Sequence, residues 1–134
     1  MKRMLLLALA AMMALPAAAQ FCRGPEIDFT AYTEADATLP GETLRVLFRF
    51  DLDDAYHVNA HEPLDEFLIG TELTLETGAT PFTVERVVYP PAKEYESAFS
   101  EMPLLVYGPD FAIGALVAAA EDTAPGDYEL AGSL

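Results

Sequence analysis

The sequence is poor in the residues from which most catalytic and metal centres are built. It holds one cysteine, Cys22, and two histidines, His57 and His61. A lone cysteine cannot close an internal disulfide; in an oxidising compartment it implies a free thiol, an intermolecular bond or a partner outside the chain. No Cys-x-x-Cys pair and no glycine-rich phosphate loop occur. Ser97, Ser100 and Ser133 lack the flanking glycines of a nucleophile elbow, so serine hydrolysis is not expected. Cations are equally scarce: 7 Lys and Arg stand against 22 Asp and Glu, a net charge of −15. Arg23, Arg45, Arg49, Arg86 and Lys93 are spread singly. Nucleic acid, which demands a clustered cationic surface, is therefore excluded as a partner. The acids read as a solvated surface, because no loop shows the spaced carboxylates of a hard-cation cage.

Long apolar runs are missing too, except at the start. Lys2 and Arg3, an apolar stretch over 4–19 and the small triplet Ala17-Ala18-Ala19 before Gln20 have the order of a cleavable secretory signal. The stretch falls short of the roughly 20 apolar residues that span a bilayer, and Pro16 interrupts it. Residues 1–19 are thus expected to be a signal peptide rather than an anchor, placing the mature chain outside the cytoplasm as a soluble protein. Cleavage would remove Lys2 and Arg3 and no acid, making the mature part more negative still. Phe21 stands where lipid attachment to Cys22 would need a small residue, which argues against lipoprotein processing. Residues 20–134 suffice for one domain with a real core, not two.

What the mature part does have is the two-residue rhythm of β-strands, with no sustained helical period. Over 43–50, Leu44, Val46, Phe48 and Phe50 share one face while Thr43, Arg45 and Arg49 share the other, the pattern of a half-buried strand. Further strands are expected over 27–33, 56–60, 71–76 with Leu73 and Leu75 inward, 82–89, 104–107, 111–119 and 128–134. Pro40-Gly41, Glu62-Pro63, Thr77-Gly78, Pro90-Pro91, Gly108-Pro109 and Pro125-Gly126 punctuate them. The spacing predicts an all-β protein, an immunoglobulin-like antiparallel β-sandwich. The final stretch 128–134 reads as a strand in progress, and the domain is expected to be incomplete at its C-terminus.

Two connections, 61–70 and 90–103, are too long for tight hairpins, and long loops on a rigid scaffold commonly carry function. His57 and His61 stand four apart beside Glu62, Asp65 and Glu66. Four-residue spacing converges two ligands only on a helix, which Pro63 and the strand-like 56–58 disfavour. His57 is therefore expected to hydrogen-bond within the domain and His61 to lie in a solvated loop, with no metal site. Tyr89, Tyr95, Phe99 and Tyr107 are expected in the core rather than on a contact surface.

Three stretches share their order and spacing with a known family. They are Tyr56-His57-Val58-Asn59-Ala60-His61-Glu62-Pro63-Leu64-Asp65-Glu66-Phe67-Leu68-Ile69-Gly70-Thr71; then Tyr89-Pro90-Pro91-Ala92-Lys93 with Phe99-Ser100-Glu101 ahead of Tyr107; and finally Pro125-Gly126-Asp127-Tyr128-Glu129-Leu130-Ala131-Gly132-Ser133-Leu134. In these the chain resembles the N-terminal domain family of the thiol:disulfide interchange protein DsbD, a protein-disulfide reductase. The resemblance implies a periplasmic domain that relays reducing equivalents from a membrane-embedded electron donor domain to oxidised periplasmic thiol:disulfide proteins, the acceptor being either an isomerase or a protein of cytochrome c biogenesis. It implies no cofactor. The family's cysteine pair lies just beyond the strand that resembles 128–134, so no catalytic residue carries over to any position here, and Cys22 matches neither cysteine. A cap loop that shields the pair from adventitious exchange maps to Phe99, with Tyr95 as second choice. The competing expectations are a non-enzymatic module that binds proteins through 90–103 and, behind it, a metal-binding module using His57 and His61.

Overall fold

The structure is a computed structural model, and it describes residues 27–134. The expected leader at 1–19 and Cys22 lie outside the described residues. Among those described, every element is a strand: β1 (Asp28–Thr33), β2 (Thr43–Asp51), β3 (Val58–Asn59), β4 (Thr74–Glu76), β5 (Phe82–Val88), β6 (Lys93–Tyr95), β7 (Leu104–Tyr107), β8 (Asp110–Ala119) and β9 (Ala131–Ser133). All pairings are antiparallel, in sheets ordered β1-β2-β8-β5, β3-β7-β6 and β4-β9. The all-β, antiparallel expectation holds.

The four-stranded sheet is built on the two segments with the cleanest alternation. Along β2, Val46 and Phe50 are buried and Leu44 and Phe48 half-buried, while Thr43, Arg45, Leu47, Arg49 and Asp51 face out. Along β8, Phe111, Ile113, Ala115, Val117 and Ala119 form an unbroken buried face. The register sets Phe50 directly opposite Phe111, and their rings stack with centroids 5.1 Å apart. In β5 a register shift between Val84 and Arg86 absorbs one residue. That β-bulge has a phase consequence: it returns Val87 to the half-buried face beside Phe82 and Val84, where strict alternation would have turned it outward.

The inner face of this sheet packs on the two smaller ones. Phe50, Phe111 and Ile113 cluster with Ala60, Leu73 and Tyr107, with Val58, Leu75 and Leu105 against them. Val46, Ala115 and Val117 form a second cluster with Leu75, Phe82 and Leu130. Leu73 and Leu75 point inward as predicted.

Three differences from the sequence reading stand out. Lys93–Tyr95 is a strand, not part of a long loop, because it pairs with β7 although all three of its residues are exposed. The strands expected over 56–60, 71–76 and 128–134 are shorter, reduced to β3, β4 and β9. The basic residues are not all scattered: Arg45 and Arg86 both sit across from Leu116, and Arg49 shares their face. Arg49 spans diagonally to Asp110 with a two-pronged contact of 3.0 and 2.9 Å, and Arg45 reaches Glu34 at 2.9 Å.

Candidate functional site

The small β3-β7-β6 sheet carries both long loops. β3 and β6 flank β7, and their C-terminal ends meet the same end of it: the Ala60 amide donates to the Leu105 carbonyl at 2.8 Å, and Tyr95 pairs with Leu104. The 61–70 loop and the 96–103 loop therefore leave the sheet side by side.

The 61–70 loop is fastened at its neck. The Thr71 hydroxyl donates to the Asn59 carbonyl at 2.6 Å, the Asn59 side-chain amide to the Ile69 carbonyl at 2.8 Å, and the Thr71 amide to the Ala60 carbonyl at 3.3 Å. Gly70 closes it so tightly that a Cβ there would clash with the His61 carbonyl oxygen. Only glycine fits that approach. Within the loop, Asp65 Oδ1 accepts from the Phe67 amide at 2.9 Å.

His61 belongs to this neck. Its Nδ1 lies 2.9 Å from the Thr71 carbonyl oxygen; a carbonyl only accepts, so Nδ1 carries the proton. Its ring stacks on Tyr89 at 3.8 Å between centroids, and its amide donates to the Tyr107 hydroxyl at 3.0 Å. The expectation for His61 is thus overturned: it is a hydrogen-bonded, part-buried imidazole, and His57 is half-buried as well, its ring tilted against that of Tyr95 at 4.4 Å between centroids. Each ring packs against a different tyrosine, His61 stacked on Tyr89 and His57 tilted against Tyr95. No group of three or more His, Cys, Asp or Glu side chains is arranged to hold a metal among the described residues.

Of the four aromatics expected inside, Tyr107 is buried and Tyr89 packs on the core, its hydroxyl accepting from the Leu73 amide at 3.0 Å. Tyr95 and Phe99 are not core residues. Tyr95 ends β6 half-exposed, and Phe99 is 100 % exposed. The reason is local. The Ser97 side-chain oxygen accepts from the Phe99 amide at 3.2 Å, the Ser97 carbonyl accepts from the Ser100 amide at 3.3 Å, and the Ser100 hydroxyl donates to the Met102 carbonyl at 2.7 Å. This serine-built turn throws Phe99 outward and occupies both hydroxyls.

Sequence reasoning missed the apolar tip of the other loop. Phe67 is 87 % exposed and Ile69 86 %, with Leu64 exposed beside them. The signal was there: four large apolar residues, Leu64, Phe67, Leu68 and Ile69, inside a segment with Pro63, Gly70 and no strand rhythm.

Two open grooves lie elsewhere. One of about 630 Å³ opens under 36–40 and 123–130, over Leu44, Val46, Phe48 and Phe82; another of about 530 Å³ crosses the outer face of the four-stranded sheet at Tyr32, Leu47, Gly114 and Val88. Neither contains His57, His61, Tyr95 or Phe99. No family model, no curated protein and no solved structure matches this chain.

Proposed function

We propose that residues 20–134 form the body of a thiol:disulfide interchange domain, an immunoglobulin-like β-sandwich that acts in the periplasm after removal of a signal peptide at 1–19. In this reading the exchanging cysteine pair follows Leu134 in the polypeptide. One thiolate of the reduced pair attacks the disulfide of an oxidised periplasmic protein, forming a mixed disulfide and releasing the first thiolate of that protein. The second cysteine then displaces the remaining sulfur, so the partner leaves as a dithiol and the pair becomes a disulfide. A membrane-embedded donor returns two electrons to the pair.

The observation that supports this reading is Phe99: a fully exposed aromatic held out by a hydrogen-bonded turn, with Tyr95 at the root of the same loop. Exposing that much apolar surface is unfavourable unless something meets it. A sulfur pair beneath a hydrophobic cap gains protection, since exchange depends on access as well as on thiolate fraction. The same exposure also suits a non-enzymatic module that binds proteins through 90–103, and one observation separates the two. A coding sequence that continues past residue 134 into two cysteines separated by a few residues supports the relay; one without them overturns it. In the complete protein, Phe99→Ala should raise the rate at which the pair reacts with a small thiol, measured by stopped-flow fluorescence or quenched labelling. An unchanged rate removes the cap role.

A further inference from the structure

The relay reading leaves the 61–70 loop unused, yet this loop has the build of a docking element. Its neck is closed by the Thr71, Asn59 and Gly70 contacts, so its tip is held in one shape rather than left to collapse onto the sheet. On that tip Phe67 and Ile69 are almost wholly exposed and Leu64 is more than half exposed. Rigid presentation of large apolar side chains lowers the entropic cost of burying them in a partner. Such anchors dominate binding energy when they enter a pocket.

Charge identifies the kind of partner. Between Arg49 and Arg86 the chain carries no Lys or Arg, and Glu62, Asp65 and Glu66 interleave with the apolar tip. Lys93, the basic residue of the β3-β7-β6 sheet, reaches the other way: its Nζ lies 3.7 Å from where a Cβ on Gly108 would sit, at the end of β7 away from the loops. The field at the tip is therefore negative. It repels anionic lipid and a second copy of this acidic chain, and attracts a cationic surface.

We propose that the 61–70 loop is a docking site for a protein whose contact surface combines an apolar pocket with a Lys- or Arg-rich rim. Phe67 and Ile69 are the anchors, and Glu62, Asp65 and Glu66 steer the approach. This site stands independently of any cysteine pair.

The test uses the purified exported protein and three synthetic peptides of equal length that alternate Leu with Lys, Ser with Lys, and Leu with Glu. Backbone amide shifts report the contact site. The expected result is that the Leu/Lys peptide moves the amides of 61–70, that Phe67→Ser with Ile69→Ser weakens its binding at least tenfold without changing the melting temperature, and that the other two peptides bind at least tenfold more weakly. Equal binding of Ser/Lys and Leu/Lys would reduce the site to bulk charge and overturn the proposal, as would shifts centred elsewhere or no binding at all. Two other occupants are tested alongside. A dimer in sedimentation velocity that Phe67→Ser abolishes, or cosedimentation with phosphatidylglycerol vesicles that it abolishes, would assign the tip to self-association or to membrane and likewise overturn it.

Discussion

The four-stranded sheet and the loop-bearing β3-β7-β6 sheet spend their apolar side chains in opposite ways. In the former, β8 buries Phe111, Ile113, Ala115, Val117 and Ala119 in one unbroken face, and its neighbours supply Val46 and Phe50 to the same layer. In the latter, Val58, Leu105 and Tyr107 reach the core, but the loops at its end hold Leu64, Phe67, Ile69, Phe99 and Met102 in solvent. The loops are not unstructured: each is held by named hydrogen bonds and, at Gly70, by a backbone approach that admits no side chain. The contrast separates a region that buries its apolar side chains from one that leaves them in solvent.

Substitutions can break or sharpen that contrast. The largest effect is expected in the first region. Ile113 is 0 % exposed at the centre of β8, and Ile113→Ala should cost about 2–5 kcal/mol of stability in urea unfolding, the transfer and cavity cost of a well-packed core position. A loss near zero would show that β8 is not the structural centre. Next comes the neck of the loop. Gly70→Ala places a Cβ against the His61 carbonyl, and the strain should cost about 1–3 kcal/mol while displacing His61 from Tyr89. The ring-current shift on the His61 resonances would then disappear; its persistence would mean that the neck yields elsewhere.

The smallest effect belongs to the exposed rim of the four-stranded sheet. Glu34 accepts from the Arg45 amide and then from its guanidinium, which holds its carboxyl below the ordinary 4.5. Asp110 is held below 3.8 by its hydrogen bond to Arg49, whose own value is raised in return. A carboxyl with a depressed folded value adds stability above its unfolded value and loses it as pH falls through the folded one. The combined Glu34→Gln, Asp110→Asn variant should therefore differ most from the parent at neutral pH and converge on it below about pH 4. Both pairs are solvent-exposed, so the difference should be small and should shrink further with added salt. A difference that grew toward acid would contradict this assignment.

Five strands lie within a residue of their expected limits: β2, β5 and β8, whose alternation declares a buried face, and β1 and β7, which proline and glycine turns and apolar or β-branched content mark without it. β6 was not legible, because Lys93-Glu94-Tyr95 has no apolar alternation and becomes a strand only by pairing with β7. β3 and β4 are short because the flanking amides of His61 and Leu73 donate to the Tyr107 and Tyr89 hydroxyls rather than to a neighbouring strand. The histidine assignment failed on the same ground. His61 follows Ala60 into a loop in sequence terms, yet the return of the chain at Thr71 and the arrival of Tyr89 from β5 give it both its hydrogen bond and its stack.

Composition and periodicity by themselves determined that this is an acidic all-β chain with antiparallel strands, since hydrophobic phase and the scarcity of cations are properties of the string. They also marked 61–70 and 90–103 as the segments that do not obey the strand rhythm. What only the tertiary structure decided is which side chains those segments bury and which they show. Phe67, Ile69 and Phe99 are no less apolar than Phe50 and Ile113. They face water because Gly70 and the Ser97 and Ser100 hydrogen bonds shape the backbone at the loop roots, and backbone shape, more than hydrophobicity, sets the direction of each side chain there.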